Sequence, residues 1–285
     1  MSESAMAAAS PHDLPVLRIR PSSASLSTAL RELWAHRELL GFFAWRDLKV
    51  RYKQTVLGVA WALLQPLFMM IVFSVFFGSL AKVSSDGLPY PIFVYCGLLP
   101  WQLFAYALTN AANSLVTNER LVTKVYFSRV TLPISSVLAG LVDFAIAFAL
   151  LLILMVYYGC APSRAIMALP FFLLLTVGAA IAVGLGLSAL NVRYRDVRYT
   201  LPFLTQVWLF ATPIAYPSSL VPERWRPLYA LNPMVSAVDG FRWALLGAPR
   251  PLATAVVVSS LVVVAGLFAS LRYFVRVERS FADVV

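Results

Sequence analysis

One carboxylate stands apart from the other ionisable groups of this sequence. Asp143 lies ten residues into an apolar run, ISSVLAGLVDFAIAFALLLILMVYY. An unpaired charge near the middle of hydrocarbon costs on the order of 3 kcal/mol, so this group must face protein or water, or be protonated. It suits a proton relay, a polar pathway or a hydrogen-bonded packing anchor, and no Lys or Arg inside a predicted span is available to pair with it. The remaining chemistry-bearing residues form no reactive constellation. There is no GxxxxGK[ST] phosphate loop, and Gly184-Leu185-Gly186 is followed by Leu187-Ser188-Ala189, which completes no GxGxxG fingerprint. HExxH, GxSxG and paired carboxylates are missing as well. His12 and His36 are isolated. Cys96 and Cys160 show no CxxC or metal-ligand spacing and read as small packing residues, although both fall toward one face and a disulfide is conceivable. No metal site is expected.

Two other groups of side chains suit binding rather than bond-making. Aromatic rings recur at Trp61, Phe68, Phe73, Trp101, Phe104, Trp208 and Phe210. Near the ends of a span such rings form the interfacial belt. Mid-span rings such as Phe68 and Trp208 are not explained by a belt, and rings of this kind stack on the apolar C–H faces of sugars whatever the linkage. The segment NERLVTKVYFSRVT (118–131) sets Leu121, Val122, Val125 and Phe127 among Glu119, Arg120, Lys124 and Arg129. It reads either as a solvated loop or as an amphipathic patch that docks on a partner protein.

The elements that must position these residues follow from composition. The chain has 285 residues, of which 60% are hydrophobic and 13% charged. A soluble domain is nearer half apolar and a quarter charged, and it cannot hide several apolar runs of about twenty residues. An all-α polytopic membrane protein results, with six spans predicted at 57–81, 92–117, 134–158, 166–190, 201–216 and 252–274. Pro100 is expected to kink or interrupt the second. Ala180, Gly184 and Ser188 give the fourth a small-residue face, for packing within the subunit or between subunits.

Residues 1–25 lack a basic and an apolar region of the kind a signal peptide needs and read as a disordered cytoplasmic segment. Leu26, Leu30, Leu33, Trp34, Leu40 and Phe43 recur at helical spacing within 26–56, which reads as an amphipathic cytoplasmic interface helix lying in the headgroup region. Residues 57–274 form the transmembrane domain and 275–285 a cytoplasmic tail. Between the fifth and sixth spans, Asn232-Pro233 places a helix cap and a first-turn proline before a helix at 234–246, which is too short to cross. It carries Asp239 and Arg242 three apart and is read as a short outer-face helix or re-entrant hairpin. With both termini inside, 17 of the 23 Lys and Arg fall on inner segments, which fixes the orientation. The net charge of +10 then belongs to inner loops and anionic lipid, not to nucleic acid.

Five segments in order carry a resemblance: RDLKVRYKQTVLGVAWALLQP (46–66), GLLPWQLF (97–104), NERLVTKVYFSR (118–129), NVRYRDVRY (191–199) and ALNPMVSAVDGFRWALLG (230–247). Together they resemble the ABC-2 type permeases that export polysaccharide, the O-antigen group above all. The resemblance implies six spans, an interface helix before the first, and short outer-face helices before the last. It implies a homodimer working with two copies of a separate nucleotide-binding ATPase subunit. ATP and Mg would be bound by that partner, with no cofactor in this chain. The cargo implied is undecaprenyl-diphosphate-linked polysaccharide crossing a bacterial inner membrane through an aromatic-lined channel. The segment matching 118–129 lies where such exporters couple to the ATPase. Where the family commonly has Phe-Pro-Arg, this chain has Phe127-Ser128-Arg129, and serine keeps a backbone donor that proline lacks.

The expected chain is thus a transporter subunit and not an enzyme. Glu119, Arg120, Lys124 and Arg129 are expected to couple to the ATPase. Trp61, Phe68, Phe73, Trp101, Phe104, Trp208 and Phe210 are expected to line the channel. The competing readings are an ABC-2 exporter of a lipid or drug, a membrane enzyme of glycan assembly, and a proton-coupled carrier using Asp143.

Overall fold

The computed structural model describes residues 31–278 except 32, 36, 54–57, 126 and 195. Every regular element among the described residues is helical. In chain order these are α1 (Arg37–Lys53), α2 (Ala60–Phe73, continued by a π-helical stretch Ser74–Leu80), α3 (Tyr90–Thr117), α4 (Glu119–Lys124), α5 (Thr131–Tyr157), α6 (Leu169–Arg193, entered through the 3-10 turn Arg164–Ala168), α7 (Asp196–Phe210), α8 (Arg226–Tyr229), α9 (Pro233–Leu246) and α10 (Ala253–Val277). The lead segment 1–25 and the tail beyond 278 lie outside the described residues, as do both ends of the interface helix expected at 26–56.

Five helices are long and apolar enough to cross a membrane: Ala60–Leu80, Tyr90–Thr117, Thr131–Tyr157, Arg164–Arg193 and Ala253–Val277. They take the places of the first four expected spans and the sixth. The fifth expected span, 201–216, falls on α7, whose 15 residues reach only about 22 Å against roughly 30 Å of hydrocarbon. Beyond Phe210 the chain leaves the helix in a tight turn, with the Ile214 N–H donating to the Thr212 carbonyl at 2.7 Å. Helix α3 runs through Pro100 without the interruption that proline is expected to cause. Its neighbours hold it in place, so one lost backbone bond does not end it.

Helix α3 is the axis of the fold, packed between α5 and α6. Helix α10 lies behind α6, α9 wedges between α3 and α6, and α1 lies along α5. Small side chains set how closely α3 and α6 approach. A Cβ on Gly184 would sit 2.8 Å from the Cβ of Ala111, closer than real contacts allow. Ala180 and Ser188 are fully buried as well. The small-residue face therefore serves packing within the subunit.

Helix α9 has the boundaries its caps dictate. The Asn232 side chain accepts the Met234 N–H at 3.1 Å, Pro233 takes the first turn, and Gly247 closes the helix in the left-handed region at φ 69°. A second, smaller core forms where α1, α4 and the end of α10 meet, around Phe43, Leu115, Val122, Leu185 and Phe274.

Candidate translocation site

The aromatic side chains divide into two groups. Trp101, Phe104 and Trp208 come together: the Phe104 and Trp208 rings meet edge to face with centroids 4.9 Å apart, and Trp101 lies 5.5 Å from Phe104. The Asn232 carboxamide fixes this group from α9, accepting the Trp208 indole N–H at 3.0 Å and donating to the Thr212 hydroxyl at 3.1 Å. Phe104 is fully buried inside that cluster and presents no face to an open passage. Phe73, Trp101 and Phe210 line an open cavity of about 310 Å³ between α2, α3 and α7. Trp61 and Phe68 project from α2 with more than half of their surface exposed, as does Phe210 from α7.

Asp143 has the cationic partner that is missing from the predicted spans. Arg51, from the last turn of α1, forms an ion pair with its Oδ2, and the Tyr52 hydroxyl donates to its Oδ1. The guanidinium also lies over the Tyr106 ring, 4.4 Å from the centroid. Helix α1 thus supplies the cation that pairs with the one carboxylate inside the long apolar helices. The pair opens onto a cavity of about 450 Å³ bounded by α2, α3, α5 and the end of α7.

The four residues expected at the coupling site are not equivalent. Glu119, Arg120 and Lys124 are exposed along α4, while Val122 on the opposite face is buried in the smaller core. Arg129 is tied inward instead. Its guanidinium donates to the Glu278 carbonyl, and its backbone N–H donates to the Glu278 carboxylate at 3.1 Å. Phe127 beside it packs on Phe43 of α1, ring centroids 5.6 Å apart. The segment 118–131 therefore offers an exposed charged face on α4 while its second half locks α1 and α10 together.

At the other end of the molecule, Arg242 of α9 is 2% exposed. It donates to the carbonyls of Phe93, Pro213 and Ile214 at 3.2, 2.6 and 2.7 Å, and lies 3.5 Å from the Phe93 ring centroid. These bonds satisfy the carbonyls of the turn after α7, and they pin that turn to α3 and α9. Gly97 leaves the room: a Cβ there would come within 2.7 Å of the guanidinium. Asp239 lies 3.9 Å from Arg242. Burial pushes its carboxyl above the ordinary range, and the nearby guanidinium opposes that shift.

The sequence that builds these helices matches a known family. The family model for the ABC-2 type transporter matches residues 38–246. The chain belongs to the ABC-2 type transporter family. Among curated relatives, it is similar to the O-antigen export system permease protein RfbA of Myxococcus xanthus, 32% identical over 259 residues, which is 90% of this chain and 98% of that protein. It is 29% identical over 206 residues to the protein of the same name from Klebsiella pneumoniae, covering 72% of this chain and 79% of the relative. The polysialic acid transport protein KpsM of Escherichia coli is 21% identical over 210 residues, 70% of this chain and 78% of that protein.

As an ABC-2 type transporter, the chain is a transport component rather than an enzyme. The match runs from the first turn of α1 to the last residue of α9, so it contains both arginine centres, the partly exposed Arg51 with Asp143 and the buried Arg242 with Asp239. Arg51, Tyr52, Asn232 and Arg242 were not singled out as site residues by sequence reasoning. A signal for Arg242 did exist: a charged pair within an otherwise apolar helix that is too short to cross. Arg51 gave none, because helical spacing says nothing about which span α1 folds against.

Proposed function

We propose that the chain is the membrane-spanning subunit of an ABC exporter that moves polysaccharide, of the O-antigen type, across the bacterial inner membrane. ATP hydrolysis is supplied by a separate subunit that binds ATP and Mg. The observation carrying this reading is the likeness to the M. xanthus O-antigen export permease over nearly the full length of both chains. Supporting it, the described residues include aromatic side chains along α2, α3 and α7 that suit passage of a glycan, with Phe73, Trp101 and Phe210 around one open cavity.

In this reading two copies form a homodimer and two ATPase subunits bind from the cytoplasm, where both termini lie. Helix α1 rests in the inner headgroup region. Helix α7 and the turn that follows it make the sixth crossing together with the five long spans, and α8 and α9 form the outer-face elements. Exposed Glu119, Arg120 and Lys124 contact the ATPase, and the segment passes the movement on to the end of α10 through the bonds of Arg129 to Glu278 and to α1 through Phe127 on Phe43. The cargo arrives on an undecaprenyl-diphosphate carrier.

Purified permease with its ATPase, reconstituted in liposomes with the nucleotide sites outside, tests this. ATP-dependent uptake of lipid-linked glycan into the lumen is expected. ATP-dependent movement of a phospholipid or drug probe with no movement of glycan would replace the reading with the efflux alternative. Reversing Glu119 to Lys is expected to weaken copurification of the ATPase; unchanged copurification would remove α4 from the coupling surface.

A further inference from the structure

The cavity beside Asp143 carries polar side chains in an otherwise mostly apolar wall. Gln65 of α2 and Gln102 of α3 face it, and neither carboxamide makes a hydrogen bond among the described residues. A planar amide in such a place needs water or a ligand, since hydrocarbon offers it nothing. Arg51 and Asp143 are the charged residues of the lining, and they cancel each other. Trp101 and Tyr106 add two aromatic rings to the wall. The volume of about 450 Å³ falls within the range of small-molecule sites, about 300–1,000 Å³.

This donor set has a recognisable chemistry. A carboxamide presents a donor and an acceptor side by side, as does a paired carboxylate and guanidinium, and each such edge matches two adjacent hydroxyls. A ring alongside covers the apolar C–H face of a pyranose. The zero net charge of the lining disfavours an anionic or cationic unit, which would enter without a counter-charge. We infer that this cavity is a station for uncharged sugar units of the transported polymer. Gln65, Gln102 and the Arg51–Asp143 pair grip adjacent hydroxyls, and the Trp101 ring in the wall lies against the apolar side of the sugar. The inference rests on the polysaccharide-export reading and adds to the aromatic surfaces a hydrogen-bonding site in each protomer. Because Arg51 belongs to α1, occupancy of the station is felt at the helix that also packs on the coupling segment through Phe43 and Phe127.

Cysteine protection tests it in the assembled transporter. Gln102→Cys is combined with Cys160→Ala; Cys96 is fully buried and does not compete for reagent. Maleimide labelling of the new thiol is followed in membranes from cells that make the polymer and from cells blocked at its first glycosyl transfer. Labelling several-fold slower in the polymer-making membranes is expected, and equal rates would overturn the station. Export by the Gln65→Ala, Gln102→Ala double variant is expected to fall about tenfold, corresponding to about 1.4 kcal/mol in the transport barrier. Undiminished export would overturn the station too. The glycan retained in a permease-deletion strain is expected to contain neutral sugars; a polymer with a carboxylate on every unit would overturn the charge argument. These failures differ from failure of the export reading itself, in which deleting the permease leaves surface glycan unchanged.

Discussion

Helices α2 and α3 are neighbours in sequence and in space, yet they meet their surroundings in opposite ways. Within the most apolar eighteen-residue window, 78% of α3 is buried in the protein but only 11% of α2 with its π-helical continuation. The less buried helix is the more apolar of the two. Water would impose the reverse order. Lipid tails are as apolar as leucine, so greasiness gives a helix no reason to hide, and burial goes to the surface that packs and bonds best. Helix α3 has that surface: Gly97, Ala107, Ala111 and Ala112 admit close neighbours, and the Tyr95 hydroxyl donates to the Ala147 carbonyl at 3.0 Å. Helix α2 keeps Trp61, Phe68, Ile71 and Phe76 outside. Stability should therefore reside in what surrounds α3, and transport in the faces that α2 and α7 leave uncovered.

Substitutions at the two places should separate accordingly. The largest effect is expected at Arg242→Met, which leaves three backbone carbonyls unsatisfied and Asp239 buried without its cation; removing one partner of a buried pair costs about 3–5 kcal/mol. Thermal unfolding of the purified transporter measures it, and a variant as stable as the parent would deny α3 its central role. Gly184→Val forces the α3–α6 contact apart and is expected to cost roughly 1–3 kcal/mol in the same assay. Asp143→Asn removes a charge-assisted bond at a partly exposed pair and is expected to cost about 1–2 kcal/mol, read as faster proteolysis around α1. The smallest effect on stability is expected at Trp61→Ala and Phe68→Ala, within about 0.5 kcal/mol each, since exposed positions contribute little. Glycan export should nevertheless fall several-fold in both. Large losses of stability there would mean that α2 is a packing helix after all.

How legible this was in the sequence differs from element to element. The ends of α9 could be read in advance because Asn232, Pro233 and Gly247 act locally, through caps and backbone conformation. Four long spans and the last one could be read from apolar run length, the one property that lipid demands of every spanning helix. The end of helix α7 was harder: apolar residues continue to Tyr216, but Pro213 has no N–H for the ladder and disfavours helical backbone before it, and the carbonyls of Pro213 and Ile214 in the turn that follows accept from the Arg242 guanidinium. That partner is 28 and 29 residues away in the chain, beyond any periodicity argument. The partner of Asp143 was hidden for the same reason, lying 92 residues back at the end of α1. Of the expected channel residues, ring type was visible and direction was not, so buried Phe104 and exposed Phe68 looked alike.

Deletion of the permease gene, followed by fractionation of cellular glycan, bears on the whole scheme. Polymer lost from the cell surface and retained inside, still attached to its lipid carrier, is the expected result. Normal surface glycan in the deletion strain would contradict it and turn attention to lipid or drug efflux.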